Sequence, residues 1–217
     1  MAGLQALICD LDMTLIDSRR DIAAALVRAM QVELGVAATE RDAAALIGRP
    51  LISMMRQLAP GSDEAALARA VATYKDIFFR HCADYTVVFP GVRETLTRLR
   101  RGGVRTAVAT TKMTFMARRV CQVLDLAEWF DHIQGTDNFP AKPDPTVIRR
   151  ACLALEVPPE AALIVGDTTM DVRAASAAGG VAVAVSYGID TVADLKAVGA
   201  TRIIDDFVEV ADFFRVT

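Results

Sequence analysis

Four short apolar runs, at residues 4–9, 105–110, 162–166 and 181–186, each give out at a polar or charged side chain, and helical patterns fill the intervals between them. A weaker run lies near Ile203. Aliphatic and β-branched residues without polar alternation belong to strands buried on both faces, and intervening helices make such strands parallel. The expected fold class is therefore α/β, a doubly wound parallel sheet with a Rossmann-like core. Ligands of such sheets bind outside the carboxyl ends of the strands, which is where the polar residues stand.

The rhythm breaks once. Between Leu15 and Val88 no strand pattern appears, and the chain reads as helix after helix. Ser18-Arg19-Arg20-Asp21 has the spacing of a capping box ahead of a helix with Ile22, Leu26, Met30 and Leu34 on one face. Thr39-Glu40-Arg41-Asp42 opens another, Gly48-Arg49-Pro50 punctuates the next join, and Ser62-Asp63-Glu64 starts a long helix bearing Leu67, Val71, Tyr74 and Phe78. The expected organisation is a core of residues 1–15 and 88–217 interrupted by an all-helical insertion, residues 16–87. An insertion that leaves the core at the end of the first strand is placed to act as a lid.

Composition narrows the class. Hydrophobic residues make up 53% of 217 residues, too many for a disordered chain. The longest apolar stretch, residues 174–185, is interrupted by Ser176 and Gly179-Gly180 and falls short of a membrane span. With a net charge of −3 and no basic tract, nucleic acid is not an expected partner. The start of the chain lacks a basic segment and runs directly into Asp10, so it does not read as a secretory leader. Cys9, Cys82, Cys121 and Cys152 are scattered, without the spacing of a zinc site or a disulfide framework. They read as small buried residues of a protein in a reducing cytoplasm.

Chemistry concentrates at the strand ends. Asp10-Leu11-Asp12-Met13-Thr14 puts two carboxylates two residues apart, on the same side of an extended chain. Like charges so close raise one pKa unless a cation screens them, which marks either a metal ligand set or a nucleophile beside an acid/base. Thr110-Thr111-Lys112 follows the second strand, with hydroxyls, a cation and backbone N–H groups ahead of a helix, all suited to an anion. Only four residues are lysine against 20 arginines, and a second lysine, Lys142, stands in Lys142-Pro143-Asp144-Pro145 just before a helix whose first turn reads as prolines and an aspartate. Gly166-Asp167-Thr168-Thr169-Met170-Asp171 ends the third strand, with Asp171 in the first turn of the next helix, where its charge is favoured. Four acids, Asp10, Asp12, Asp167 and Asp171, are thus expected around one locus. Oxygen ligands with few protein contacts suit Mg²⁺.

Those four segments, in that order, resemble the signatures of the haloacid-dehalogenase-like hydrolase superfamily, in the branch similar to phosphoglycolate phosphatase, and the helical insertion resembles its cap. The resemblance implies a Mg²⁺-dependent phosphoric monoester hydrolase acting on a small phosphorylated metabolite, 2-phosphoglycolate foremost. It implies that Asp10 attacks phosphorus to give an aspartyl-phosphate, and that Asp12 protonates the leaving oxygen and then deprotonates water. Thr110, the Thr111 backbone and Lys142 would hold phosphate oxygens. Mg²⁺ would be held by Asp10, the Asp12 carbonyl and Asp167, with Asp171 in support. Arg49 in its Gly-Pro turn is the leading specificity residue, Arg56 the second, either able to pair with a substrate carboxylate. A cytoplasmic monomer or homodimer is expected. Two positions depart from the family: Met13 stands where glycine is usual, and Thr111 where asparagine is frequent. A positive φ at Met13 would strain a non-glycine residue. The expected result is a slightly altered hinge with chemistry retained.

Other readings of the same residues differ in what they require. Haloacid cleavage needs no proton donor and so no Asp12. Phosphonate cleavage needs an early cap lysine, whereas the only cap lysine is Lys75. A phosphomutase shares the aspartyl-phosphate and differs in excluding water. A phospho-accepting signalling module has no use for the insertion, and a non-catalytic binding protein has none for the intact acids and lysine.

Overall fold

The computed structural model of the protein describes residues 3–214. In chain order, β1 (Ala6–Cys9) is followed by β2 (Ile16–Asp17), α1 (Arg19–Leu34), α2 (Glu40–Ala44), α3 (Leu51–Leu58), α4 (Glu64–His81) and β3 (Val87–Val88). Next come α5 (Val92–Arg101), β4 (Arg105–Ala109), α6 (Thr114–Val123), β5 (His132–Gln134) and α7 (Thr146–Ala154). The chain then forms β6 (Ala162–Gly166), α8 (Thr169–Ala178), β7 (Val181–Val185), α9 (Val192–Ala197), β8 (Arg202–Ile204) and a 3-10 segment at Phe207–Phe213.

Six strands make one parallel sheet in the order β5-β4-β1-β6-β7-β8. All four residues of β1 and all five of β6 are buried, which is why these stretches carry no polar alternation. Ala6, Ile8, Ala107, Ala109, Ile164 and Ala182 face one side, packed with Val147, Ile148 and Ala151 of α7 and Val172 and Ala175 of α8. The small residues let those helices approach closely. On the other side α5 packs on β4 and on the 3-10 segment, with Leu96 and Phe207 fully buried. No helix among the described residues is long and apolar enough to cross a membrane. All four cysteines are free and buried.

The chain divides into two compact units, one running to Ile16 and resuming at Val88, the other Asp17–Val87. The second is built on α1 packed along α4, with α2 on α1 and α3 on α4. Leu26, Met30, Met55, Leu67, Tyr74 and Phe78 are buried, and the rings of Tyr74 and Phe78 stack at 5.6 Å. Thr39 and Asp42 form the expected capping box, and Asp63 caps α4. The start of α1 differs from expectation: Ser18 makes no side-chain cap bond. Asp21 is instead buried and accepts from the N–H groups of Tyr85 and Thr86, at 3.0 and 2.7 Å, and from the Thr86 hydroxyl at 2.6 Å. Three donors from the returning chain outbid one local cap, and a local pattern could not register them.

Candidate active site

The strand order makes the site. The chain leaves β1 for β4 and β5 on one side and returns across it to β6, β7 and β8 on the other, so the switch point lies at the carboxyl end of β1. Cys9 pairs in register with Val108 of β4 and Val165 of β6. The residues just beyond, Asp10, Thr110 and Asp167, therefore emerge at one edge. Hydrogen bonds from Asp10 N–H to Val165 O (2.8 Å) and from Thr110 N–H to Gln134 O (3.0 Å) hold the first two in extended continuation of their strands.

Lys142 reaches this edge from the turn that follows β5. It is 4% exposed, and its Nζ lies 2.7 Å from Asp10 Oδ1 and 2.5 Å from Asp171 Oδ1. The prolines beside it are not the first turn of α7, as the spacing had suggested. Asp144 Oδ1 accepts from Thr146 N–H at 2.9 Å, which closes a separate turn and delays the helix to Thr146.

Asp171 is the third residue of α8 and shares a capping box with Thr168. Its Oδ2 accepts from the Thr168 amide at 2.9 Å and hydroxyl at 2.6 Å, leaving Oδ1 to Lys142. Gly166 makes room for it: a Cβ there would fall 2.7 Å from Asp171 Oδ2 and closer still to its carbons. Asp167, 1% exposed, accepts from the Thr14 hydroxyl at 3.0 Å and from Ile189 N–H at 2.9 Å. Oxygens of Asp10, Asp167 and Asp171 all lie within 4.8 Å of one another.

Three acids gather, where four were expected. The carboxylate of Asp12 lies 3.1 Å from Lys112 Nζ instead. Strand alternation ends at Asp10: residues 11–16 form a tight turn closed by Met13 N–H to Ile16 O (2.8 Å) and Leu15 N–H to Leu11 O (3.0 Å), so a period of two no longer applies to Asp12. Met13 sits in that turn with φ +66° and is fully buried. The anion site read at Thr110-Thr111-Lys112 also differs, because the Lys112 amide is already taken by Thr110 Oγ1 at 3.2 Å. Thr110 is buried, and Thr111 and Lys112 are half-buried. In the insertion Arg49 is exposed, and the guanidinium of Arg56 is held by Glu64 at 2.8 Å.

Burial pushes the Asp10 carboxyl up to about 7, with Lys142 opposing and Asp171 and Asp12 adding to the rise. Burial also drives Asp167 well above the carboxylate range, aided by Asp171 and Asp10. For Lys142 burial would lower the pKa, but Asp10 and Asp171 outweigh it and hold the ammonium charged. Three clustered carboxylates against one lysine leave an excess of two negative charges when all are ionised. A small divalent cation with oxygen preference cancels that excess, so the donor set fits Mg²⁺.

The residues that strand-end reasoning missed lie after β7. Tyr187 donates its hydroxyl to Thr14 O at 2.9 Å, and Ile189 supplies the amide to Asp167. The available signal was the position of Tyr187-Gly188 just past a strand's carboxyl end, beside the switch point.

Residues 7–185 match the family model described as haloacid dehalogenase-like hydrolase. A phosphoglycolate phosphatase of Nitrosospira multiformis is 32% identical over 98% of this chain and 96% of its own. Another, of Pseudomonas syringae pv. tomato, is 37% identical over 91% of this chain and 75% of its own. Among solved structures, a haloacid dehalogenase-like family hydrolase from Streptococcus pneumoniae is 27% identical, with a TM-score of 0.86 over 99% of this chain and all of that one.

Proposed function

The chain belongs to the haloacid dehalogenase-like hydrolases, and from that premise we propose that it is a Mg²⁺-dependent phosphatase whose preferred substrate is 2-phosphoglycolate. It is a phosphoric monoester hydrolase, as its relatives are. The observation that carries the residue assignment is the Lys142 ammonium bridging Asp10 and Asp171 beside Asp167, at the switch point of the sheet.

Asp10 is the nucleophile. It stands at the strand end with one oxygen on Lys142, which opposes the rise that burial causes in its pKa and leaves the other oxygen for phosphorus, to form an aspartyl-phosphate. Asp12, two residues on and turned toward Lys112, protonates the leaving alkoxide and then takes a proton from the attacking water. Lys142 and the Thr110 hydroxyl orient phosphate oxygens, the positioning on which phosphoryl transfer chiefly depends. Mg²⁺ would be held by Asp10, Asp167 and the Asp12 carbonyl, with Asp171 acting through Lys142, and would neutralise charge on the transferring oxygens. Arg49 is the choice for the substrate carboxylate, since Arg56 already has Glu64 as partner. A cytoplasmic location accords with four free cysteines.

The test is a hydrolysis screen over small phosphate esters with Mg²⁺, ranked by kcat/KM. 2-Phosphoglycolate at the head of the ranking supports the reading. A sugar phosphate or pyrophosphate well ahead of it displaces the substrate assignment while leaving the chemistry.

A further inference from the structure

The segment after β7 is bonded to the site more closely than a connecting loop requires. Tyr187 Oη donates to Thr14 O at 2.9 Å, and Thr14 Oγ1 donates to Asp167 Oδ1 at 3.0 Å. Ile189 N–H donates to Asp167 Oδ2 at 2.9 Å, and Asp190 N–H to the Asp167 carbonyl at 3.3 Å. Asp190 in turn accepts from Thr169 N–H at 2.6 Å, at the start of α8. Each oxygen of Asp167 thus has one donor from a different part of the chain. Gly188 fits flat against the same aspartate: a Cβ would stand 2.6 Å from Oδ2 and 2.7 Å from Cγ, and closer still to Cβ. The Tyr187 ring packs on Phe89 with centroids 4.6 Å apart, so the phenol is fixed from behind as well.

We propose that residues 187–190 are a positioning clasp, which fixes the Asp167 carboxylate and the Thr14 hydroxyl relative to Asp10 and so sets the affinity of the cluster for a divalent cation. The inference rests on the metal-dependent reading above. Its physical basis is that a carboxylate with one donor on each oxygen keeps one direction for coordination, whereas a loosely held one must give up rotamer freedom on binding. Glycine is needed at 188 because any side chain displaces the aspartate.

Tyr187→Phe removes one hydroxyl and keeps the ring against Phe89, and Gly188→Ala pushes directly on Asp167. Full-length, metal-stripped wild type and both variants are titrated calorimetrically with MgCl₂ and with MnCl₂, and melted in chelator. The expected result for Tyr187→Phe is a Kd for Mg²⁺ raised about 10- to 100-fold, a cooperative melt in chelator, and recovery of most of the hydrolysis rate at excess Mg²⁺. Gly188→Ala is expected to lose more affinity, and if it fails to fold Tyr187→Phe alone decides. Variants that melt lower yet bind Mg²⁺ as tightly as wild type overturn the clasp and leave the phosphatase reading standing. A wild-type protein that binds no divalent cation overturns both.

Discussion

Asp10 and Lys142 show what one substitution can separate. In Asp10→Asn the shape is kept and Lys142 still has Asp171 as partner, so the fold should survive while turnover falls by at least about three orders of magnitude, the scale of losing a covalent nucleophile. Melting and a steady-state assay on the same preparation check it, and a variant retaining a substantial fraction of the rate excludes the covalent route. Met13 sets a different contest. Its φ of +66° costs about 1 kcal/mol relative to glycine, but its fully buried side chain is worth about 2–5 kcal/mol when deleted. Met13→Gly should therefore lose stability, by about 1–4 kcal/mol, and keep its activity per folded molecule; a variant more stable than wild type would show that strain dominates. The departure from glycine was visible in the amino acids, whereas the side chain that offsets it is visible only in the packing. The same holds for Asp12: the pair Asp-x-Asp can be read from spacing, but the turn that swings Asp12 to Lys112 is closed by main-chain bonds within residues 11–16, which leave no mark on residue type.

Elements differ in how openly they announce themselves. The buried strands were legible because nothing but continuous apolar residues can occupy a parallel sheet covered on both faces. β5 was not, since its His132, Ile133 and Gln134 are all half-buried at a sheet edge and carry no such pattern. The helices of the insertion were legible by period and caps, except at Asp21, whose partners lie sixty-odd residues away. The clasp at 187–190 was missed because each of its bonds has a main-chain group at one end, which leaves no mark on residue type. The turn carrying Arg49 belongs to this scale. Arg49→Ala should raise KM for 2-phosphoglycolate severalfold and leave an uncharged aryl phosphate nearly unaffected, since the aryl ester offers no carboxylate to bind. Equal losses on both esters would put Arg49 on the transferring phosphate or in folding, and no loss on either would move the specificity contact elsewhere.

For the molecule as a whole, the buried acids make stability depend on pH and on metal together. A carboxyl whose pKa is higher in the folded than in the unfolded state binds more protons when native, so stability falls as pH rises between the two values. With Asp10 raised from 3.8 to about 7 and Asp167 raised as well, the metal-free protein should lose melting temperature steadily from about pH 4 to pH 7. Saturating Mg²⁺ should flatten that slope and add about 2.7 kcal/mol at a hundredfold excess over Kd. Melts across pH in chelator and in MgCl₂ read both effects, and a metal-free protein whose stability is level or rises over that range would show that the cluster is not held as described. Activity should vanish with chelator, return with Mg²⁺ and be inhibited by Ca²⁺, whose larger and looser shell disfavours in-line transfer.

The amide of Phe89 donates to the carbonyl of Leu15 at 3.0 Å, so the chain departs from and rejoins the sheet through a single doorway. Every acid and lysine of the site lies outside the stretch between those two residues. A segment whose ends already touch can be lengthened, shortened or exchanged with little entropic penalty and without disturbing strand order. Inheritance can therefore treat the insertion as a replaceable module: lineages can diverge in what they recognise by trading what hangs from the doorway, while the chemistry behind it descends unaltered.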